Sequence, residues 1–166
     1  MERVIIIGCG GSGKSTLSRM VAEKTNLPVV HLDKLFWKEG WINIPREEFN
    51  ILLMKELEKD KWIIDGNYDR TLEERIKRCD TIIYLDYPRR TSLFGVIKRV
   101  LLSYGKVRPD MADGCPERFD LDFIKWIWNF NKEHREKFYK IIKEQKDKEI
   151  YIFTKRKECN KFIKTL

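Results

Sequence analysis

Lys14 and Ser15 close the stretch Gly8-Cys9-Gly10-Gly11-Ser12-Gly13-Lys14-Ser15, which fits G-x-x-x-x-G-K-[ST] at every position. The chemistry such an octet performs is phosphate binding. Its four glycines let the backbone turn tightly and aim N–H groups at one spot. A helix opening at Thr16-Leu17-Ser18-Arg19-Met20-Val21 adds the partial positive charge of its N-terminus. Lys14 brings a full charge for the outer phosphates, and Ser15 a hydroxyl for Mg²⁺. Gly8 to Thr16 are therefore the expected contacts of a nucleoside triphosphate. Arg3-Val4-Ile5-Ile6-Ile7 reads as a buried strand directly before the loop, which disfavours a chance Gly-rich turn.

Three further carboxylates stand where short apolar runs end. Asp33 follows Val29-Val30-His31-Leu32, Asp65 follows Trp62-Ile63-Ile64, and Asp86 follows Thr81 to Leu85. In a doubly wound sheet ligands gather at the carboxyl ends of strands, so Asp33 is expected to face an acceptor, with an N-cap as its alternative. Asp65 is a candidate for the Mg²⁺ shell opposite Ser15, and Asp86 competes with it. Arg70 lies just beyond the Asp65 strand and could grip a phosphate through its planar fork.

The elements that must position these groups follow from apolar periodicity. Asn26-Leu27-Pro28 stops the first helix, and Pro45 opens another through about Asp60, with Phe49, Leu52, Leu53 and Leu57 on one face. Between them residues 34–44 look too irregular for a helix. Their Phe36, Trp37 and Trp41 would form either a stacking lip over a substrate or simple packing. Thr71-Leu72-Glu73-Glu74 has the spacing of a capping box. A helix from Pro88 to about Tyr104 is expected to pack through Leu93, Ile97, Val100, Leu101 and Tyr104. Residues 105–116 hold two Gly and two Pro and break every period. With Lys106, Arg108 and Arg118 they read as a basic lid over residues 105–118, or else as a passive surface loop. Asp120 caps a helix to about residue 146, with Ile124, Ile127, His134, Phe138 and Ile141 on its buried stripe. His134 there reads as a packed histidine. Glu149 to Phe153 is the fifth strand, and a last helix contains Phe162. Strands alternating with helices give an α/β fold of three layers around a five-stranded parallel sheet, read as a single domain over residues 1–166.

With 166 residues the chain can bury a real core, and no run approaches the length of a membrane span. Cys9, Cys79, Cys115 and Cys159 are scattered without a C-x-x-C pair, which points to reduced thiols and a cytoplasmic setting rather than zinc or disulfides. Cys9 reads as a small packing residue within the loop. The net charge of +8 raises nucleic acid as a partner. Residues 132–166 carry twelve Lys/Arg against six Asp/Glu, interleaved along helices as on a solvated face, so nucleic acid is not favoured.

Three classes share this loop. A GTPase switch should show a guanine-reading N/T-K-x-D, but Thr154-Lys155-Arg156-Lys157 has Lys where the acid belongs. A motor ATPase would carry an acid pair on its Walker-B strand, which Asp65-Gly66 and Asp86-Tyr87 lack. A small-molecule phosphotransferase needs a phosphate cradle, an acceptor pocket and a basic lid, and all three are offered.

Gly8 to Ser15, Trp62 to Gly66, Asp86-Tyr87-Pro88 and the Arg-bearing helix beyond resemble the adenylate kinase and nucleoside/shikimate kinase superfamily. More closely, His31-Leu32-Asp33-Lys34-Leu35-Phe36-Trp37, Ile64-Asp65-Gly66-Asn67-Tyr68, Arg108-Pro109-Asp110-Met111 and Gly114-Cys115-Pro116-Glu117 resemble the bacterial topology modulation protein family. The resemblance spans most of the chain. It implies ATP and Mg²⁺, an acceptor segment over about residues 33–61, and Asp33 at the acceptor, in some relatives as a base. It also implies Asp65 at the Mg²⁺ waters, Arg89, Arg99 and Arg108 as phosphate contacts, and Lys155 and Arg156 beside adenine. Adenylate kinases follow their Asp-Gly with an aromatic, Pro and Arg, whereas Asn67-Tyr68-Asp69 delays the arginine to Arg70. The implied activity is phosphoryl transfer from ATP to a nucleotide, nucleoside or other small hydroxylated acceptor. The alternative is an ATP-dependent, DNA-associated regulatory protein acting on DNA topology.

Overall fold

In the computed structural model, which describes residues 1–166, β1 (Arg3–Gly8) is the middle strand of a five-stranded sheet. Its Val4 to Ile7 run is buried on both faces because alternate side chains of a strand point to opposite sides. Ile5 and Ile7 join one core with Phe49, Leu53 and Phe138. Val4 and Ile6 join another with Leu17, Val21 and Ile163. Each such isoleucine contributes roughly 2 kcal/mol of apolar burial.

The sheet order is β2 (Val29–His31), β5 (Trp62–Asp65), β1, β6 (Thr81–Leu85), β7 (Glu149–Phe153), and every pairing is parallel. Helices α1 (Lys14–Thr25) and α7 (Arg156–Thr165) cover one face. The other face is covered by α3 (Arg46–Leu57), α4 (Leu72–Arg78), α5 (Arg89–Ser103) and α6 (Leu121–Lys143). These are the three layers expected, and all five expected strands are present. Asn26 ends α1 in the left-handed conformation, φ 58°, and Asp120 caps α6 by accepting the Phe123 N–H at 3.0 Å. No helix is long and apolar enough to cross a membrane.

Four local expectations are corrected. Residues 34–44 are not irregular: α2 (Leu32–Phe36) leads into a small antiparallel hairpin of β3 (Trp37–Lys38) and β4 (Ile42–Asn43). Gly40 and Trp41, at φ 75° and 63°, make its turn. The capping box at Thr71 does not form, because its hydroxyl donates instead to Tyr68 O at 3.0 Å. Helix α5 does not bury the stripe its periodicity suggests. Ile97, Leu101 and Tyr104 are exposed, while Ser92 and Val96 face inward against Gly11. On α6 the buried stripe is Ile127, Phe130, Phe138 and Ile142, with Ile124 and Ile141 only partly covered. His134 is packed as expected, between Phe130 and Phe138, with Nδ1 2.9 Å from Asp69.

Candidate active site

The carboxyl ends of β1, β2 and β5 open onto a cavity of about 890 Å³ that runs from the phosphate-binding loop to the hairpin and residues 108–111. Its floor is backbone. Gly13, at φ 98°, starts α1, and a Cβ there would meet no atom within 4 Å, so the loop faces open space. Gly8, at φ 146°, lies so close to β6 that a Cβ would stand 2.8 Å from Leu85 O. Its N–H donates to Asn67 Oδ1 at 3.0 Å, which ties the loop to the end of β5.

Gly10 to Thr16 line the cavity, whereas Gly8 and Cys9 lie beneath it. Cys9 is buried under Ile127, and burial pushes its thiol up to about 11, so the packing role fits. Lys14 Nζ donates to Cys9 O at 2.9 Å, folding the side chain back over its own loop. Burial lowers the Lys14 pKa, with Cys9, Asp33 and Asp65 opposing the shift. The Ser12 hydroxyl, also in the cavity wall, is buried without a partner.

Asp33, one residue into α2, points into the same space. Tyr68 donates its hydroxyl to Asp33 Oδ1 at 2.7 Å. Burial raises the Asp33 pKa, against the pull of the Tyr68 hydrogen bond and Lys14. Burial also raises Tyr68, with the neighbouring Asp33 charge adding to it. Tyr68 itself is held by Arg75, whose fully buried guanidinium donates to Gly66 O at 2.9 Å and to the carbonyls of Asn67 and Tyr68. This is the arginine the turn uses. Arg70 is exposed and does not reach the cavity.

Asp65, 4% exposed, lines the cavity and accepts the Ser18 hydroxyl at 2.6 Å, with His31 Nδ1 at 2.7 Å. Asp86, equally buried, is turned toward α6. Arg135 donates to its Oδ2 at 2.8 and 3.0 Å, and the Tyr139 hydroxyl donates to the same oxygen at 2.8 Å. It does not line the cavity.

Over the top, Arg108 Nε stands 2.7 Å from Glu117 Oε2, and its Nη1 2.5 Å from Asp110 Oδ2. Arg99 Nε approaches the same Glu117 oxygen at 3.0 Å, off line for a hydrogen bond. Burial lowers the Arg99 pKa, and the adjacent Arg108 charge adds to this. Burial pushes the Asp110 carboxyl up, but Arg108 and the Ser15 hydroxyl outweigh it, so the group is held below its ordinary range. Residues 105–118 are tied to the hairpin: Gly40 N–H donates to Gly114 O at 2.9 Å, and Trp41 Nε1 to Pro116 O at 3.1 Å. Trp37, Trp41 and Arg156 line the cavity. Lys155 does not, and Arg89 stacks on Trp128 at 3.9 Å, away from the cavity.

Sequence reasoning gave no role to Tyr68, Asn67, Arg75, His31, Asp110 or Glu117. All but Arg75 lay inside the stretches that carried the family resemblance, but the partners of His31, Asn67 and Tyr68 lie 34, 59 and 35 residues away.

No family profile matches the chain, and no curated protein sequence matches it. Solved structures do. The chain is similar to the shikimate kinase from Bacteroides thetaiotaomicron, with a TM-score of 0.59 and 19% identity over 99% of this chain and 95% of that one. It is also similar to the shikimate kinase from Aquifex aeolicus, with a TM-score of 0.56 and 21% identity over 98% and 92%. The chain therefore has the shikimate kinase-like P-loop fold.

Proposed function

We propose that the chain is an ATP-dependent small-molecule phosphotransferase that moves the γ-phosphoryl group of ATP to a nucleotide, nucleoside or other small hydroxylated acceptor. One observation carries this reading. Gly10 to Thr16 of the phosphate loop, with Lys14 among them, line one cavity together with Asp33, Asp65 and Arg108. The fold it shares with two shikimate kinases agrees with it.

The loop fits a triphosphate, with open space over Gly13 and an unsatisfied buried hydroxyl at Ser12. No cluster of His, Cys, Asp or Glu is dense enough to hold a metal by itself. That suits Mg²⁺, which keeps most of its waters and takes few protein ligands. Ser15 would bind it directly and Asp65 through water, with Ser18 and His31 orienting the Asp65 carboxylate; the bound ion neutralises phosphate charge.

Lys14 exchanges the Cys9 carbonyl for phosphate oxygens. Asp33 takes the proton of the acceptor hydroxyl, and its raised pKa brings it nearer the working pH of a general base. Tyr68 occupies Oδ1 and leaves Oδ2 for that proton. Where the acceptor is already a phosphate, Asp33 positions it instead. Arg108 and Arg99 trade the lid carboxylates for transferring phosphate oxygens, where forked donors stabilise spread charge. Arg156 flanks the base of ATP. The lid and hairpin exclude water from the transfer.

The stretches around His31 to Trp37 and Arg108 to Met111 favour placing this kinase beside the topology modulation proteins. An ADP-release screen over nucleosides, nucleoside monophosphates and small hydroxylated metabolites, with and without DNA, tests the proposal. Stimulation by a small acceptor that is abolished by Lys14→Met is expected. Stimulation by DNA alone, with a steeply salt-dependent DNA affinity responding to ATP, would overturn it.

A further inference from the structure

The acceptor end of the cavity is built from aromatic rings rather than from free cations. The Tyr68 ring lies 5.0 Å from that of Phe36, Phe36 lies 4.9 Å from Trp37, and Trp37 lies 5.6 Å from Trp41. All four line the cavity, and Tyr68 is the residue that holds Asp33. The wall is stiff: Phe49, with no exposed surface, backs both Phe36 and Tyr68, and the Trp41 indole N–H is fixed to Pro116 O.

Arg19 and Lys98 also line the cavity but are exposed, and the other positive charges at this end are already engaged. Arg108 is paired with Asp110 and Glu117, and Arg118 stands near Asp120 while lying 5.0 Å over the Trp41 ring. If Arg108 turns to the transferring phosphate, no unpaired buried cation is left here for a second anion. A carboxylate or phosphate on the acceptor would lie among rings and beside the Asp33 carboxylate, which repels it. A neutral ring gains stacking area instead, and a hydroxyl on it can meet the free oxygen of Asp33.

Resting on the phosphotransferase reading, we infer that the acceptor is an uncharged molecule carrying a planar aromatic or heteroaromatic ring and a hydroxyl. Its ring stacks along Trp37 and Trp41, and its hydroxyl meets Asp33. Nucleosides and simple aromatic alcohols share this chemistry. The step itself is balanced by ATP: the acceptor oxygen bonds to the γ-phosphorus, the bond to the β,γ-bridging oxygen breaks, ADP leaves, and the acceptor proton passes to Asp33.

The test uses the 166-residue chain with four probes: thymidine, thymidine 5′-monophosphate, benzyl alcohol and shikimate. Each is followed by tryptophan quenching, with ADP release measured in parallel. Saturable quenching by thymidine or benzyl alcohol, at least tenfold tighter than by the monophosphate or shikimate, is the expected result; the two neutral probes separate the sources. Trp37→Ala should weaken binding of the neutral ring about tenfold or more and leave ATP affinity unchanged, with Trp37→Phe restoring most of it. Tighter binding of either anion, or an equal loss for all four probes in Trp37→Ala, would overturn the inference. Quenching by a neutral ring without ADP release would leave the ring site standing and remove the phosphotransferase reading beneath it.

Discussion

β5 and β6 flank the strand that carries the phosphate loop, and each is closed by a nearly buried aspartate, yet the two carboxylates serve different ends of the molecule. Asp65 lies beside β2, and two small donors, Ser18 from α1 and His31 from β2, hold one of its oxygens at the cavity wall. Asp86 lies toward β7, where α6 crosses and delivers Arg135 and Tyr139. The lesson is physical. A carboxylate at a strand end is available for chemistry when its partners orient it and leave it an open side. It becomes structure when a long cation and a phenol close over it.

The largest effects should separate these two groups. Asp65→Asn is expected to lower turnover about a thousandfold, and to raise the Mg²⁺ concentration needed for half-maximal rate, with the melting temperature nearly unchanged. A titration of rate against Mg²⁺ checks it, and a fall of less than fivefold would move Asp65 to the structural side. Asp33→Asn should cost about a hundredfold. In the wild type, kcat/KM for a hydroxyl acceptor should fall with acidity through a pKa above the ordinary carboxylate value, since burial raises Asp33.

The same shift sets a sign for stability. A carboxyl raised in the folded state binds its proton more readily there than when unfolded. Its ionised form at neutral pH therefore costs stability, and that cost disappears as pH falls through the folded pKa. Asp33→Asn should accordingly melt slightly higher than wild type at pH 7 while being much slower. A lower melting temperature would count against a strained, functional Asp33.

His31→Ala comes next. Removing the group 2.7 Å from Asp65 should cost about tenfold in rate, seen mainly as a raised Mg²⁺ requirement rather than a raised acceptor KM. Equal changes in both constants would mean that His31 acts on the cavity more generally.

Much of this arrangement is legible in the chain, and the reason it stops being so is distance. The loop Gly8 to Ser15 is read directly because its chemistry is local backbone, and the five strands are read because Val4 to Ile7 and their counterparts are short apolar runs between breakers. The choice between Asp65 and Asp86 is not local: their partners lie 47 and 34 residues away for Asp65, and 49 and 53 for Asp86. Arg70 seemed the phosphate grip by proximity, but Arg75, one helical turn further on, is the residue that folds back onto the turn. Helix α5 misled through its period. A Cβ on Gly95 would collide with Gly11, so the small residues of α5 must face the loop, and its apolar stripe is rotated outward. The hairpin over residues 37–43 escaped because two-residue strands carry no periodicity at all.

The smallest effect on turnover belongs to Asp86→Asn, and it closes the contrast between the two strand ends. The substitution keeps an acceptor oxygen for Tyr139 but removes the charge that Arg135 pairs with. Arg135 is 52% exposed, so water takes over much of its solvation and the loss is well short of that for a fully buried pair. About 1–2 kcal/mol of stability should go, a drop of roughly 5 °C in melting temperature for a chain of this size. Turnover at 25 °C should stay within twofold of wild type, and so should the Mg²⁺ requirement. Thermal melting and a Mg²⁺ titration on the same preparation read both quantities. A tenfold change in the Mg²⁺ requirement with an unchanged melting temperature would reverse the roles assigned to the two aspartates, because it would mean that α6 releases Asp86 when the site is filled.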